Sequence, residues 1–168
     1  MLKTKKEIES WLDKYKIKNY IINDDLTVDV NDDVDLSVKK LKEIPFKFGI
    51  IVGNFDCSNN KLTSLKYCPK EIIGSFDCSN NNLESLECGP EKIKSDFYCS
   101  NNKLTSLEHS PKEISGSFYC NLNKLRSLEH CPEIIKGNFS CFNNSLISLE
   151  HSPKKIGGVF NCSRNMLK

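Results

Sequence analysis

The sequence predicts an α/β repeat solenoid: stacked coils with a parallel β-sheet on one face, irregular or 3₁₀ return segments, and a helical cap at the N-terminus. Three observations predict this class. A block of 21 residues recurs without insertion along most of the chain. Its apolar residues keep the same phase in each copy, and the N-terminal segment has a helical pattern of its own. Internal periods of about 20–50 residues are typical of solenoids.

The N-terminal cap is predicted over residues 1–33, with a helix over about 4–16. Thr4 and Glu7 stand at the spacing of a capping box, in which each side chain bonds the other's backbone N–H. Apolar residues then follow at the spacing of one helical face: Ile8, Trp11, Leu12 and Tyr15. We expect this stripe, with Trp11, to cover the open end of the solenoid core.

After Asn19 the apolar pattern changes to a period of two, which is typical of strands. Leu26, Val28 and Val30 alternate with polar residues, a polar turn follows, and alternation resumes at Val34. The pattern predicts a strand and a hairpin that lead into the solenoid. The solenoid itself is predicted over residues 34–168, and it begins with a degenerate coil at about 34–54.

The copies are aligned on a cysteine that recurs every 21 residues: Cys57, Cys78, Cys99, Cys120, Cys141 and Cys162. A phenylalanine stands two residues before each: Phe55, Phe76, Phe97, Phe118, Phe139 and Phe160. An asparagine stands three residues after: Asn60, Asn81, Asn102, Asn123, Asn144 and Asn165. Leucines follow at five and eight, proline at twelve and isoleucine at fifteen. Phe-x-Cys has strand alternation with both side chains inward, and the proline directs the return path.

The motif F-x-C-x-x-N-x-L-x-x-L resembles the core of the leucine-rich repeat, with Phe and Cys in its first two apolar positions. The short period and the C-S-N-N-x-L-x-S-L motif are similar to those of small repeat proteins from bacteriophages and some bacteria. The resemblance covers about residues 34–168. It implies a single parallel sheet and a protein-binding role. A phage origin would further imply a bacterial host protein, such as a defence protein, as the target to be inhibited.

Composition excludes several classes of function. Lys and Arg number 24 and Asp and Glu 22, so no strong field attracts nucleic acid or membrane. No apolar run reaches the roughly 18 residues of a membrane span. Nine cysteines without an export signal indicate a reducing compartment, and we expect a cytoplasmic protein with free thiols. No catalytic motif is present, and we expect no enzyme activity.

The cysteine and asparagine columns are predicted to be structural. Unpaired cysteine behaves as a small apolar side chain and is commonly buried. An asparagine column at strand ends can satisfy backbone groups of neighbouring coils. We therefore predict neither a metal nor a cofactor.

A second group of polar residues lies ten positions after the core cysteine: Tyr67, Cys88, His109, His130 and His151. Stacked imidazoles with Cys88 and Cys131 nearby have metal-ligand chemistry. Metal binding on this rim stays an alternative to a solvated surface. Lys70, Glu91 and Lys112 begin a column of alternating charge, which we interpret as support for coil register.

A partner would bind the open face of the strands, where the copies differ from one another. The core places no demand on the identity of these residues, so we expect their variation to encode binding. The predicted partner-binding residues are Asp56, Asp77, Asp96, Tyr98, Tyr119, Asn121, Leu122 and Phe142. Aromatic residues among small polar ones are typical of protein-binding hot spots. The alternative is that exposed tyrosine simply suits a strand.

The sequence thus predicts a non-enzymatic protein-interaction module. Two alternatives remain open: a sponge for a small ligand such as a nucleotide or second messenger, and a self-assembling structural protein. For the latter, the strand at residues 159–162 would present free backbone groups, through which two copies could pair as a homodimer.

Overall fold

Two β-sheets run along the solenoid, one on each side of its core, in the computed structural model, which describes all 168 residues. All their strands pair in parallel except one antiparallel pair at the N-terminal end. One α-helix, α1, spans Lys5–Lys14. The strands β1 to β15, in chain order, are Tyr20–Ile22, Val28–Val30, Val34–Asp35, Phe48–Ile51, Phe55–Asp56, Glu71–Ile72, Phe76–Asp77, Lys92–Ile93, Phe97–Tyr98, Glu113–Ile114, Phe118–Tyr119, Ile134–Ile135, Phe139–Ser140, Lys155–Ile156 and Phe160–Asn161.

The front sheet contains seven strands in the order β15-β13-β11-β9-β7-β5-β3. Its register follows the sequence period, because Phe55 pairs with Phe76, and Phe76 with Phe97. Backbone bonds link each coil to the next, as from Cys57 N–H to Asp77 O at 2.8 Å. The predicted parallel repeat is therefore confirmed.

The back sheet is the main departure from the predicted fold. Return segments were expected to be irregular or 3₁₀, but no residue is in a 3₁₀-helix. The isoleucine column instead forms two-residue strands, and Ile72 pairs with Ile93 in register. The eight strands have the order β1-β2-β4-β6-β8-β10-β12-β14. Because the coils stack at the spacing of paired strands, an extended pair of residues in one coil lies beside the equivalent pair in the next. The backbone of the return segments therefore forms strand pairs as well.

The core between the sheets is a continuous cluster of 35 buried apolar residues. The phenylalanines from Phe55 to Phe160 lie one above the other, with ring centroids 5.2–6.0 Å apart. Five cysteines of the repeat column are fully buried beside them: Cys57, Cys78, Cys99, Cys120 and Cys141. Since one coil cannot enclose its own apolar face, the stability of each coil depends on its neighbours.

Burial changes the acidity of the core thiols. It raises the pKa of Cys141 to about 12. It also raises the pKa of Cys78, Cys99 and Cys120 well above the ordinary thiol range, and that of the mostly buried Cys131 as well. These thiols stay protonated at neutral pH, which suits a packing role.

Cys57 shows the same rise of its thiol pKa for a different principal reason. A hydrogen bond with the Cys68 thiol is the largest cause, and burial adds to it. Cys68 is itself buried, and all nine cysteines are free.

The asparagine column joins consecutive coils, as predicted. The Asn102 side-chain nitrogen donates to the carbonyls of Cys78 and Cys99 at 3.0 and 3.2 Å. Its oxygen accepts the backbone N–H of Leu83 at 3.0 Å. Asn81 makes the equivalent bonds one coil earlier, with Cys57, Cys78 and Leu62. Each amide therefore satisfies backbone groups of two coils where the front strands end.

Helix α1 has the predicted capping box. Thr4 Oγ1 accepts the Glu7 N–H at 3.2 Å, and Glu7 Oε2 accepts the Thr4 N–H at 3.0 Å. Hydrogen bonds donated to the Glu7 carboxylate by the Lys3 N–H, the Thr4 hydroxyl and the Thr4 N–H lower its pKa. Ile8 and Leu12 are fully buried against the core, and Trp11 meets the Phe46 ring edge-on at 5.2 Å.

The hairpin lies earlier in the chain than the alternating pattern suggested. Strands β1 and β2 pair antiparallel, with Tyr20 opposite Val30. Leu26 was expected in a strand, but it lies in the connecting turn with a φ of 63°. Strands β2 and β3 do not pair with each other, because β2 joins the back sheet and β3 the front sheet. The polar turn between them is therefore the first passage from one sheet to the other.

Strands β14 and β15 are the outermost strands of the two sheets. Phe160 and Ile156 are only partly buried there. Homodimerisation through this edge stays a prediction.

Candidate functional site on the front sheet

The outward face of the front sheet carries three columns of side chains, which we call the front face. Its middle column comprises the residues between each inward Phe and Cys, aligned by strand register: Asp35, Asp56, Asp77, Tyr98, Tyr119, Ser140 and Asn161. In-register parallel pairing places each about 4.8 Å from the next. The predicted binding residues Asp56, Asp77, Tyr98 and Tyr119 therefore form one row.

Tyr98 and Tyr119 stack on each other. Their ring centroids are 4.9 Å apart and their planes differ by 4°. Tyr98 Oη donates to Asp96 Oδ2 at 3.1 Å, and Tyr119 Oη accepts from Asn138 Nδ2 at 3.4 Å. Burial, and then the hydrogen bond and charge of Asp96, raise the pKa of the Tyr98 hydroxyl to about 12. The two phenol rings are thus held side by side on the sheet.

The carboxylates of the middle column adjoin this pair on one side. Asp56 and Asp77 each accept the backbone N–H two residues later, at 2.8 Å, which stabilises the turn after the strand. Burial raises the pKa of the Asp77 carboxyl, and the Asp56 charge contributes to the rise. Neither carboxylate forms an ion pair. Asp35, which the sequence did not single out, continues the row at its end.

The column that precedes each Phe has a structural role that we did not expect. Asp96 Oδ1 accepts the Ser117 N–H of the next coil at 2.6 Å, and Asn54 Oδ1 accepts the Ser75 N–H at 2.8 Å. The same bond joins Asn138 to Val159 at 2.8 Å. Six of the seven side chains here accept a backbone N–H of the next coil, and all six are Asp, Asn or Ser; the seventh residue is Val159. Asp96 therefore supports both the fold and the tyrosine pair.

The remaining predicted residues lie on the other flank of the tyrosines. Asn121 is partly buried and accepts from Ser100 Oγ at 2.9 Å. Phe142 is partly buried at the equivalent position of the next coil. Leu122 follows Asn121 and exposes 39% of its surface. Leu122 and Phe142 give the flank an apolar character that the other coils lack.

Leu122 has a backbone conformation that is unfavourable for leucine. Its φ is 57°, in the left-handed region. The equivalent residues of four other coils are asparagine, with φ between 53° and 56° in three of them: Asn59, Asn80 and Asn143. Asparagine tolerates this region far better than a branched apolar residue. The asparagine that directly precedes the asparagine column is the sequence signal for this conformation, and the sequence prediction missed it.

We expect Leu122→Asn to raise the free energy of unfolding by about 1 kcal/mol, because it relieves left-handed strain and loses little burial. Urea denaturation followed by circular dichroism measures this. The reciprocal change Asn101→Leu, at an equivalent position with φ 52°, is the matched control and should lower stability by a similar amount. An unchanged or lower stability of Leu122→Asn would show that Leu122 is not strained.

The histidine rim lies away from the front face. His109, His130 and His151 are exposed, and each Nε2 lies 3.8–3.9 Å from an oxygen of the preceding glutamate. Cys131 packs against the core instead of joining the imidazoles. No three His, Cys, Asp or Glu side chains come together in an arrangement that would hold a metal ion.

A half-open cleft of about 750 Å³ lies over the back sheet, with Lys92, Lys94 and Lys112 in its lining. This volume suits a small ligand. The lining also contains Lys70 and two carboxylates, Glu91 and Glu113, and Lys70 pairs with Glu91 at 3.2 Å. Two of the four lysine charges are thus balanced, as the alternating charges of neighbouring coils predict.

Compared with protein-family models, curated proteins and solved structures, the chain shows no significant match. Its single helix is too short and too polar to cross a membrane.

Proposed function

We propose that this protein is a non-enzymatic interaction module that binds a partner protein through the front face. The observation that supports this most is the stacked Tyr98–Tyr119 pair. Tyrosine offers a large apolar ring with a polar end, and it is enriched at the centres of protein interfaces. The apolar flank of Leu122 and Phe142 adjoins the pair within two coils.

The pair is also arranged in advance of binding. Ring stacking and the hydrogen bonds to Asp96 and Asn138 hold both side chains in place. A partner that docks on fixed rings loses less conformational entropy than one that must order them. Retention of strained Leu122 beside the rings fits a surface selected for binding more than for stability.

We further propose that the coil is of the leucine-rich-repeat class and that the partner is a bacterial host protein, which a phage-encoded chain would inhibit in the host cytoplasm. This proposal is supported by the F-x-C-x-x-N-x-L-x-x-L motif and by the asparagine column that joins the coils. The second sheet on the return side distinguishes this solenoid from the single-sheet arrangement that the resemblance implied.

We expect the double variant Tyr98→Ala/Tyr119→Ala to lose partner binding by about 1000-fold, since two central aromatic residues each contribute about 2 kcal/mol or more at a hot spot. The measurement is affinity capture from a bacterial lysate, followed by titration of the captured protein by calorimetry. The control is Ile134→Ala, which removes an exposed apolar side chain from the opposite sheet. A double variant that captures the same protein with unchanged affinity would overturn the proposal.

A further inference from the structure

The front face is acidic over its first four coils and has no charged side chain over the last three. Its three columns, counted over seven coils, contain five carboxylates: Asp33, Asp35, Asp56, Asp77 and Asp96. The same positions contain no Lys, Arg or His, although the chain as a whole has a net charge of +2. None of the five carboxylates forms an ion pair within the chain. Their charge is therefore available to a partner.

In the middle column, aspartate gives way to tyrosine between two neighbouring coils, and we call this change in side-chain height the step. Asp77 and Tyr98 are neighbours in register on adjacent strands. One face of the Tyr98 ring is covered by Tyr119, and the opposite face is directed toward the strand of Asp77. Because an aspartate side chain is much shorter than a tyrosine, the Tyr98 ring rises as a wall beside the lower carboxylates of Asp77 and Asp56.

A planar cation fits this step better than other groups do. Guanidinium stacks on an aromatic face and also donates paired hydrogen bonds to a carboxylate. At the step both partners are adjacent. A lysine ammonium can make the ion pair, but it lacks a plane to lay against the ring.

We propose that the partner docks through a basic segment and inserts an arginine at the step formed by Tyr98 and Asp77. This inference rests on the proposed function and names the chemistry of its partner. Charge complementarity along Asp35, Asp56 and Asp77 orients the rest of the segment. Burial, with a contribution from the Asp56 charge, raises the pKa of the Asp77 carboxyl, and a cation at this point would favour its charged form.

The test uses three fluorescein-labelled peptides of equal length, in which four arginines, four lysines or four citrullines alternate with Gly-Ser. Fluorescence anisotropy measures their binding to the full chain. We expect the arginine peptide to bind about tenfold more tightly than the lysine peptide, because only guanidinium can both stack its plane on the Tyr98 ring and donate paired hydrogen bonds to the carboxylate. The citrulline peptide, which has no charge, should not bind measurably.

Variants of the chain locate the contact. Tyr98→Ala and Asp77→Asn should each weaken binding of the arginine peptide about tenfold, whereas Tyr98→Phe, which keeps the ring, should preserve it. Glu129→Gln is the matched control, because it removes one negative charge on the histidine rim and should leave affinity unchanged. Equal binding of the arginine and lysine peptides, or equal effects of Asp77→Asn and Glu129→Gln, would overturn the inference.

The two proposals fail in different ways. If the arginine peptide does not bind but Tyr98→Ala/Tyr119→Ala still abolishes capture of the native partner, the arginine step is wrong and the front face remains the binding surface. If capture is also insensitive to the tyrosines, the proposed function is wrong as well.

Discussion

Raising the pH from 7 to 9 is expected to lower the free energy of unfolding by about 5 kcal/mol, from the thiols alone. Six thiols have a raised pKa in the folded chain: Cys57, Cys78, Cys99, Cys120, Cys131 and Cys141. In the unfolded chain each thiol has a pKa of about 8.5. The unfolded state therefore releases protons first, and stability is complete below that pH and is lost as the pH rises toward the folded pKa values. Each thiol contributes about 0.8 kcal/mol at pH 9 and about 2 kcal/mol at pH 10.

The measurement is urea denaturation from pH 7 to 10 in the presence of a phosphine reductant, which keeps the thiols free. Because a domain has a total stability of only about 5–15 kcal/mol, we expect the chain to unfold without urea near pH 10. The variant Cys99→Ala/Cys120→Ala should show a shallower dependence on pH, by about one third, although it is less stable at pH 7. Cys88→Ser, at an exposed thiol, is the matched control and should leave the pH dependence unchanged. A free energy of unfolding that stays constant up to pH 10 would show that burial does not raise the pKa of the core thiols.

Asn102→Ala is expected to lower the free energy of unfolding by about 3 kcal/mol. The substitution leaves the buried Leu83 N–H without its partner at 3.0 Å and removes donors to Cys78 O and Cys99 O. An unsatisfied buried backbone group costs about 1–3 kcal/mol, and the loss affects two coils. Since the coils stabilise one another only through nearest neighbours, a break at this central position should also reduce the cooperativity of unfolding.

The measurement is urea denaturation, with the midpoint reporting stability and the slope reporting cooperativity. Lys103→Ala, at the exposed adjacent residue, is the control and should change stability by less than about 0.5 kcal/mol. A loss below about 1 kcal/mol for Asn102→Ala, with an unchanged slope, would mean that water replaces the amide and that the column does not bind the coils together.

The candidate site was predictable in part. The outward direction of Asp56, Asp77, Tyr98 and Tyr119 follows from strand alternation, and their adjacency follows from the 21-residue spacing. The stacking of the two rings needed no further information, because in-register strands bring equal side chains together. The hydrogen bonds that hold the rings, from Asp96 and Asn138, were not predictable, since they depend on rotamers within the assembled sheet.

The sequence by itself determined the period, the register and the core of this protein. An uninterrupted spacing of 21 residues leaves one way to stack Phe55 on Phe76 and Cys57 on Cys78 while burying both columns. The tertiary structure decided what depends on backbone groups meeting across coils. It turned the return segments into a second sheet, gave Asp96 a bond to the next coil, and placed Leu26 and Leu122 in left-handed conformations. Hydrophobic spacing specifies which side chains are buried, but the pairing of backbone N–H and C=O groups is settled only when neighbouring coils are in place.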